Sequence, residues 1–550
     1  MSQQKNKYDL IIIGAGFAGM YSLYKAKLAQ INVLVIEKAA GVGGTWYWNR
    51  YPGARCDVES MQYSYQFSKE LQDEWEWTEK YATQSEILKY ANHVAERFNL
   101  KKDIKFNTEV KSVIYKEKNN NWVITDNNNK TITSTFCIMA TGCLSTINKP
   151  NFKNINQFSR PILHTGTWPH EKVNLKGKKV GIIGTGSSAI QCIPEIIKEV
   201  DHLYVFQRTP HYTVPARNRP LKYIRKKITE IARKPQGYDT NLYVEEVKAH
   251  YKDFRLRAQN SVAAMVLPIN EESALEVSKE RRKSVYEDRW KKGGVPFIAA
   301  FQDLNFDREA NETAAEFVRN KIKSLVEDSA TAKILTPKYP IGCKRLAVDS
   351  NYYETFNKPN ISLIDLNTEP LDEFVSNGLS TFKNLYELDV IILATGFDAM
   401  TGTLFNIDIQ GKNNIELKDK WADGPKTYLG LTTESFPNFF IISGPGSPSV
   451  LTNMIVSIEQ HVNWIFDCFK FMKKNKKFSI EASLQAEQEW VKHNQDVSVD
   501  HVRSSCSSWY MGANIKGKAR IFMPYVGGYA NYVKKCNQVS QNNYEGFIIK

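Results

Sequence analysis

Short apolar runs that are followed closely by glycine dominate the beginning of the chain. Tyr8 to Ile13 is one such run, and a helical pattern from Met20 to Gln30 leads to a second, Val33 to Ile36. Apolar runs of this length, without alternating polar positions, predict strands that are buried on both faces of a sheet. The order strand, helix, strand therefore predicts a βαβ unit with parallel strands.

The same order of elements occurs a second time. Lys178 to Ile183 predicts a strand, a helical pattern continues to about Val200, and Leu203 to Phe206 predicts the next strand. Three further apolar runs that lead into glycine predict strands that close the sheets: 136–142, 389–398 and 439–446. The chain is predicted to contain two α/β domains of similar construction.

A glycine-rich turn joins strand and helix in each unit. The first turn reads Gly14-x-Gly16-x-x-Gly19, and the second reads Gly184-Thr185-Gly186-Ser187-Ser188-Ala189. One glycine makes the tight turn, one lets the backbone approach a diphosphate, and one lets the helix pack on the strand. The N–H groups at the start of the helix then face the anion. The pattern predicts an α/β fold class with two Rossmann-like dinucleotide-binding domains.

The two units differ at the end of their second strands. Glu37 ends the strand of the first unit, and Arg208 stands at almost the same offset in the second. A carboxylate suits a free ribose 2′-hydroxyl, whereas the arginine fork suits a 2′-phosphate. We therefore expect tightly bound FAD at the first site and NADPH at the second.

Residues 220–337 are charged, poor in glycine and helical in period. A stripe from Ala314 to Val326 follows the spacing of an amphipathic helix. Tyr223 to Lys234 is basic and amphipathic, a pattern that helices on a membrane surface also show, but we expect a solvated helix face. The predicted domains are an FAD-binding domain at 1–145 and 397–550, an NADP-binding domain at 146–222 and 338–396, and a helical insertion at 223–337.

Composition narrows the function classes. The net charge is +14, but the basic residues are spread along the chain, so we expect no nucleic-acid binding. The eight cysteines include no CxxC pair, which argues against a disulfide framework and a zinc site, and no metal site is expected. We found no run long enough for a membrane span, and we reject a signal peptide because glycines interrupt the first apolar stretch. A cytoplasmic protein without stable membrane association is expected.

Two dinucleotide sites in one chain indicate hydride transfer from NADPH to a flavin. A disulfide reductase would need a redox-active cysteine pair near the flavin, and none is evident in the sequence. No haem or iron–sulfur pattern is present either. Elimination alone favours reaction of the reduced flavin with oxygen.

Between the glycine-rich turns lies the segment Phe158-Ser159-Arg160-Pro161-Ile162-Leu163-His164-Thr165-Gly166-Thr167-Trp168-Pro169. It resembles F-x-G-x-x-x-H-x-x-x-W-[PD], the fingerprint of the Baeyer–Villiger monooxygenases. Phe158, His164, Trp168 and Pro169 match, whereas Arg160 replaces a glycine. We expect these four to form a linker between domains, with a shifted turn at Arg160 if the glycine supplied an unusual backbone angle.

Four other segments resemble this family: 43–57, 344–357, 447–454 and 508–514. The resemblance, with the glycine motifs, assigns the following roles. FAD is expected to contact Gly14, Gly16, Phe17, Gly19, Glu37, Gly44, Thr45, Trp46, Asp57, Tyr63, Val110 and Met454. NADP is expected to contact Arg55, Gly184, Thr185, Gly186, Ser187, Ser188, Ala189, Arg208, Thr209, Lys344 and Trp509, the last on a mobile C-terminal loop. Ser449, Val450 and Leu451 are expected to line the substrate pocket.

The family resemblance implies an enzyme that inserts oxygen from O2 next to a ketone carbonyl and forms an ester or lactone. Arg345, oriented by Asp57, is expected to stabilise a flavin peroxide anion and the tetrahedral intermediate. One alternative is a flavin monooxygenase that oxygenates amine or sulfide heteroatoms, and another is an NADPH-binding redox sensor without turnover. The ketone is the expected small-molecule partner, and the protein is expected to be a monomer or weak oligomer.

Overall fold

The structure, a computed structural model, describes residues 6–221, Val244, 247–249 and 251–550. The predicted basic amphipathic segment from Tyr223 to Lys234 lies outside the described residues. Among the described helices, none is both long and apolar enough to cross a membrane.

The first predicted βαβ unit forms the centre of an eight-stranded sheet. The strand Lys7–Ile13 lies between Val33–Ile36 and Thr131–Met139 and runs parallel to both, which confirms the predicted strands. An antiparallel pair, Val110–Lys116 with Asn121–Asp126, extends the sheet on one side. The eight strands are Lys7–Ile13, Val33–Ile36, Ile104–Lys105, Val110–Lys116, Asn121–Asp126, Thr131–Met139, Asp408–Gln410 and Phe439–Ile441.

The second predicted unit forms a separate sheet of five strands that are all parallel. Lys179–Ile183 lies between His202–Gln207 and Val390–Leu393, with side chains that are buried along most of its length. In spatial order the strands are Ile361–Asp365, His202–Gln207, Lys179–Ile183, Val390–Leu393 and Ile162–His164. Both faces of a parallel sheet must be covered, which explains the unbroken apolar runs in the sequence.

The chain leaves the first sheet, builds the second, and then returns to the first. The two connections run side by side: the Asn148 N–H donates to the Gly396 carbonyl at 2.8 Å, and the Asp398 N–H donates to the Thr146 carbonyl at 2.8 Å. The two sheets are therefore joined by two antiparallel segments that are hydrogen-bonded to each other around Ile147 and Phe397.

The helix after the first glycine turn begins earlier than predicted, at Phe17 instead of Met20, and ends at Leu28. The helix after the second turn ends at Ile196, four residues before the predicted end. The described α-helices are Phe17–Leu28, Thr45–Trp48, Lys69–Glu74, Gln84–Arg97, Ser187–Ile196, Tyr251–Gln259, Lys279–Lys292, Arg308–Leu325, Ser329–Leu335, Tyr352–Thr355, Gly402–Phe405, Leu417–Lys420, Met454–Lys474, Leu484–Ser498 and Tyr529–Gln541. Smaller sheets pair Thr213–Pro215 with Ala347–Asp349, Ile480–Ala482 with Phe547–Ile549, and the strands Leu371–Val375, Gly378–Thr381 and Leu385–Glu387.

The predicted amphipathic stripe lies on the helix Arg308–Leu325. Asp307 caps the helix by accepting from the Ala310 N–H, and Ala314, Val318 and Ile322 are fully buried. These side chains belong to the same hydrophobic cluster as the core of the second sheet. The helix therefore shares a hydrophobic core with the second sheet.

The prediction from cysteine spacing was wrong for one pair. Cys343 and Cys506 form a disulfide with a Cα–Cα distance of 6.2 Å, although 163 positions separate them in the chain. Spacing rules find pairs that are close in sequence, and this pair is brought together only by the tertiary fold. The other six cysteines are free and buried.

Candidate active site

The first glycine-rich turn leaves no room for side chains at two of its positions. Gly14 has a φ of +104°, and a Cβ there would lie 2.6 Å from the carbonyl oxygen of Ala140. A Cβ on Gly19 would lie 1.8 Å from the carbonyl oxygen of Gly14. Gly16 is extended and precedes the helix Phe17–Leu28, whose first N–H groups have no acceptor within the helix. These N–H groups are available to an anion such as the diphosphate of FAD.

The second turn repeats this geometry. Gly184 has a φ of +109°, and a Cβ there would again lie 2.6 Å from a carbonyl oxygen, that of Ala394. A Cβ on Gly186 would meet nothing within 4 Å, so the surface beside this glycine is open. Thr185 is buried, and its hydroxyl donates to the Thr209 carbonyl at 2.8 Å. The turn is therefore closely packed at Gly184 and open at Gly186, and the open side could accommodate a diphosphate.

The helix Ser187–Ile196 continues the second turn. Ser187 is exposed, Ser188 is half-buried, and Ala189 is fully buried. The first two therefore stand where a phosphate could approach the N-terminus of the helix, while the third packs against the sheet.

Glu37 is almost completely buried at the end of its strand. Its two carboxylate oxygens accept from the N–H groups of Ala15 at 2.5 Å and Ala39 at 2.7 Å. Burial raises the pKa of Glu37, although these N–H donors act in the opposite direction. The bonds hold the carboxylate beside the glycine turn, and its remaining lone pairs can accept from ribose hydroxyls.

Aromatic residues of the predicted FAD site meet beside the first turn. The indole N–H of Trp46 donates to the Tyr63 hydroxyl at 3.1 Å, and the ring of Phe17 lies 6.2 Å from that of Tyr63. Gly44, at a φ of +53°, leads into the short helix that starts at Thr45. The structure therefore brings these five predicted residues together.

Two other predicted FAD residues lie apart from this aromatic group. Val110 is buried in the hydrophobic cluster on the other face of the sheet. Met454 is half-buried at the start of the helix Met454–Lys474, where it packs against the clusters that contain Trp46 and Val450. Met454 therefore lies between the aromatic group and the predicted substrate loop. The position of Val110 does not bring it to this group, so its contact with FAD stays a prediction.

Arg345 and Asp57 form a bidentate ion pair, as predicted. Arg345 Nη2 donates to Asp57 Oδ1 at 2.7 Å, and Arg345 Nε donates to Asp57 Oδ2 at 3.0 Å. Arg345 Nη1 also donates to the Val450 carbonyl at 2.6 Å. Burial acts to lower the pKa of Arg345, but Asp57 and Tyr510 raise it, and the net shift is upward. The guanidinium is therefore a permanent and fixed cation.

His211 contacts the backbone of Arg345, which the sequence did not reveal. Its Nε2 donates to the backbone carbonyl of Arg345 at 2.7 Å, and its Nδ1 lies 3.3 Å from the Tyr339 hydroxyl. Burial lowers the pKa of His211 to about 4, so the ring is neutral at pH 7. Its position in the sequence, three residues after Arg208, carried no signal for this contact.

The predicted substrate loop adopts a tight turn beside Arg345. Ser449 has a φ of +44°, and its hydroxyl donates to the Ser443 carbonyl at 3.1 Å. Val450 is buried and Leu451 is half-buried. Because the turn aims the Val450 carbonyl at the arginine, this segment holds Arg345 as well as forming an apolar wall.

Trp509 lies in the C-terminal loop, which we define as residues 499–528. Its ring is 4.1 Å from that of Tyr510, and both belong to a hydrophobic cluster with Val450. Tyr510 is buried and hydrogen-bonds to Arg345. The loop therefore covers the arginine in this structure.

The residues predicted to bind the 2′-phosphate lie near one another. Arg208 is exposed, and Lys344 is half-buried with its Nζ 4.8 Å from the centre of the Tyr339 ring. Burial lowers the pKa of Lys344, and the nearby charge of Arg208 lowers it further. Arg55, by contrast, pairs with Glu79 at 3.0 Å. The structure places Arg208 and Lys344 as a pair of cations and ties Arg55 to an acid.

The two nucleotide domains touch through a contact that the sequence did not reveal. The Tyr51 hydroxyl donates to Gln191 Oε1 at 2.8 Å, and Gln191 Nε2 donates to the Arg55 carbonyl at 3.0 Å. A Cβ on Gly53 would lie 2.2 Å from the Gln191 carbonyl. This docking brings Asp57 towards the second domain and hence towards Arg345.

The fingerprint residues pack the linker and the second domain. His164 Nδ1 accepts from the Gly166 N–H at 2.9 Å, and its Nε2 lies 3.3 Å from the Asn148 carbonyl. Burial lowers its pKa, so the neutral ring bridges the linker strands. Phe158 and Trp168 are buried in the core and Pro169 is half-buried.

Arg160 fits its position without a left-handed backbone angle. The φ angle of Arg160 is not positive. Its Nη1 donates to the Leu388 carbonyl at 2.7 Å and to Asp389 at 2.8 Å. An ordinary backbone angle thus accommodates the arginine that replaces the fingerprint glycine.

Comparisons with known proteins agree with this geometry. The model of the pyridine nucleotide-disulphide oxidoreductase family matches residues 11–267. A Baeyer–Villiger monooxygenase of Pseudooceanicola batsensis is 38% identical over 98% of this chain and 96% of its own length. A phenazine N-monooxygenase of Lysobacter antibioticus is 36% identical over 100% of this chain and 98% of its own length.

Two solved structures cover almost the whole chain. A steroid monooxygenase bound to NADP has 44% identity and a TM-score of 0.92, with 99% of each chain covered. The complex of OTEMO with FAD and NADP has 35% identity and a TM-score of 0.92, with 100% of each chain covered.

The two dinucleotide domains and the full-length similarity to monooxygenases show that this chain is a flavoprotein monooxygenase. It belongs to the Baeyer–Villiger monooxygenase family. The predicted fold class, the enzyme class and the cofactors FAD and NADP are thereby confirmed.

Proposed function

We propose that this chain uses NADPH and O2 to insert one oxygen atom next to a ketone carbonyl, giving an ester or lactone. The observation that carries the proposal is the Arg345 guanidinium, which Asp57 and the Val450 carbonyl hold at the junction of the two domains. The bound flavin, once reduced, would supply the activated oxygen.

The residues present fit both cofactors. The positions of Gly14 and Gly19 leave space only for backbone, so the first turn can bring its N–H groups against the diphosphate of FAD. Phe17, Trp46 and Tyr63 then form an aromatic wall beside it. At the second turn, the open surface at Gly186 admits the diphosphate of NADPH, and Arg208 with Lys344 would hold the 2′-phosphate.

Arg345 keeps hydrogen-bond donors available for the reaction. A guanidinium has five N–H donors, and Asp57 and Val450 take three of them. Tyr510 also hydrogen-bonds to the guanidinium, and the donors that remain would bind the ketone oxygen, which gains negative charge when the oxygen nucleophile adds to the carbonyl. A fixed cation stabilises that oxyanion because no reorganisation is needed when the charge forms.

The substrate is a small-molecule ketone, whose size we expect Ser449, Val450, Leu451 and Trp509 to limit. Val450, Leu451 and Trp509 form an apolar wall beside Arg345, which favours a largely apolar ketone. The domain boundaries given above, a cytoplasmic location and a monomeric or weakly oligomeric state belong to the same proposal.

The test is NADPH consumption by the yellow protein in air containing ¹⁸O2, with a panel of cyclic and linear ketones, a sulfide and phenazine. We expect a ketone-stimulated rate and an ester or lactone that carries one ¹⁸O atom. Sulfoxide or N-oxide formation without any ester would support heteroatom oxygenation instead. NADPH oxidation that yields only hydrogen peroxide with all compounds would contradict both.

A further inference from the structure

The disulfide between Cys343 and Cys506 joins two segments that meet at Arg345. Cys343 precedes Lys344 and Arg345 and is fully buried. Cys506 is half-buried in the C-terminal loop, three positions before Trp509. The bridge therefore fastens the loop that covers the arginine to the segment that carries it.

The other attachments of the C-terminal loop are not covalent. The Val502 N–H donates to the Asn305 carbonyl at 2.9 Å, and Asn514 Nδ2 donates to the Phe397 carbonyl at 2.7 Å. Lys518 pairs with Asp398 at 2.5 Å. Within the loop, regular structure is limited to the 3-10 turns Val502–Ser504 and Trp509–Met511. Trp509 and Tyr510 also pack with Val450 in a hydrophobic cluster. Contacts of these kinds break and reform as a segment opens locally, whereas a disulfide does not, so the bridge would restrict how far the loop can lift.

We infer that Cys343 and Cys506 form a redox-controlled clamp, whose oxidation locks the C-terminal loop over the Arg345 site and slows the release of bound NADP. The inference rests on the proposed function, because it takes the covered site to be the nicotinamide nucleotide site. In the reduced form the same loop is held only by non-covalent contacts, which are its hydrogen bonds, the Lys518–Asp398 ion pair and the hydrophobic cluster of Trp509 and Tyr510 with Val450.

The oxidation balances with hydrogen peroxide as oxidant. The thiolate of Cys506, the more accessible of the two, attacks one peroxide oxygen, the O–O bond breaks, and a sulfenic acid and one water molecule form. The Cys343 thiol then attacks this sulfur, the S–O bond breaks, and a second water molecule leaves as the disulfide forms. The two thiols lose two electrons and two protons, and the peroxide is reduced to two water molecules.

The reverse step needs a dithiol reductant. One thiolate attacks a sulfur of the bridge, and a second thiolate of the reductant resolves the mixed disulfide, so both cysteines return to thiols. In a reducing compartment such a bridge is transient, which suits a regulatory link better than a permanent framework.

The first experiment maps the bond. The full-length holoenzyme is treated with hydrogen peroxide or with dithiothreitol, free thiols are alkylated, and the peptides are analysed by mass spectrometry. We expect a cross-linked peptide pair containing Cys343 and Cys506 only after oxidation. Its absence at every peroxide concentration that leaves the protein folded would overturn the inference.

The second experiment measures the dissociation rate of NADP+ from both forms by stopped-flow fluorescence. We expect oxidation to slow release by about 100-fold, at the low end of what linkage of two binding elements achieves. Cys506→Ser and, independently, Cys343→Ser should make the rate insensitive to oxidation. Ser507→Ala, an exposed neighbour that leaves both thiols in place, is the matched control and should retain the full response.

If the bridge has been mapped but the oxidised and reduced proteins release NADP+ at the same rate, the clamp is also refuted. Neither experiment requires oxygen transfer to a ketone. A protein that forms the bridge and shows slowed NADP+ release but makes no ester would therefore contradict the proposed function and leave the clamp intact.

Discussion

Arg345 and Asp57 stand 288 positions apart in the chain and yet share two hydrogen bonds, of 2.7 and 3.0 Å. Asp57 follows the segment that docks on Gln191 of the second domain, and Arg345 lies just before the strand Ala347–Asp349, which pairs with Thr213–Pro215. The pair therefore exists only when the two nucleotide domains are docked. Docking of the two domains therefore also forms the ion pair that holds Arg345 in place.

Replacement of Arg345 by alanine should separate the two halves of the reaction. Hydride transfer from NADPH to the flavin needs no oxyanion donor, so its rate should change little. Ester formation should fall by about 100-fold or more, because a preorganised cation at an oxyanion is worth about 3 kcal/mol. Anaerobic stopped-flow reduction and product analysis in air measure the two steps.

Arg160→Ala is the matched control for that substitution. Arg160 also pairs with an acid, Asp389 at 2.8 Å, but it does so at the surface of the second domain. Its removal should leave the ester yield unchanged. An Arg345→Ala enzyme that still forms ester at the normal rate would exclude the proposed role of the arginine.

The local features of this fold were predictable from sequence, because each depends on neighbouring residues. The apolar runs gave the strands Lys7–Ile13 and Lys179–Ile183, and the glycine spacing gave the turns. The start of the first helix was placed too late because Gly19 was taken as part of the turn. Gly19 instead belongs to the helix, and its lack of a Cβ is what permits the close packing, since a Cβ there would lie only 1.8 Å from the Gly14 carbonyl oxygen.

The long-range features were not predictable from these patterns. Asp57 and Arg345 were paired by family resemblance, since neither periodicity nor spacing links them. Cys343 and Cys506 were missed altogether, and so was the contact of Gln191 with Arg55. Each of these depends on how separate segments dock, and a single sequence records no signal of that arrangement.

Arg208→Ala should discriminate between the two nicotinamide nucleotides. Loss of a charge-assisted hydrogen bond to the 2′-phosphate should weaken NADPH binding by about tenfold or more. NADH lacks this phosphate, so its binding should change little. Lys179→Ala, which removes an exposed cation at the opposite end of a strand in the same sheet, serves as the control. Equal losses for NADPH and NADH in steady-state KM measurements would disprove the assignment.

The glycines of the second turn allow a test of backbone approach to the nucleotide. Gly186 has open space around it and an ordinary φ of −82°, so Gly186→Ala should fold at a cost of at most about 1 kcal/mol at this helix N-cap. The added methyl group should nevertheless weaken NADPH binding, because it occupies the surface where we place the diphosphate. Thermal denaturation and NADPH titration of the same sample measure both effects.

Gly19→Ala should behave in the opposite way. Its Cβ would lie 1.8 Å from a backbone oxygen that cannot move without displacing the helix Phe17–Leu28, so folded, flavin-containing protein should be lost. If Gly186→Ala bound NADPH normally, the diphosphate would have to lie elsewhere.

Glu459 should make the stability of the protein depend on pH. It is buried on the helix Met454–Lys474, with the Gln66 N–H donating to it at 2.8 Å and Arg255 lying 3.8 Å away. Burial outweighs these partners and raises the pKa of Glu459 from 4.5 to about 7. Between these two values the folded protein holds a proton that the unfolded chain has released.

The sign of the effect follows from that difference in bound protons. Stability falls as the pH rises from about 4.5 to 7, by an amount on the order of 3 kcal/mol, and changes no further through this group above pH 7. Glu459→Gln keeps the acceptor for Gln66 and cannot ionise, so the variant should gain stability over wild type progressively across this window. Urea denaturation of both proteins at pH 5, 6, 7 and 8 isolates the contribution of this one residue, since other titrating groups are common to the pair. A constant difference in unfolding free energy across the series would show that Glu459 has the same pKa in the folded and unfolded states.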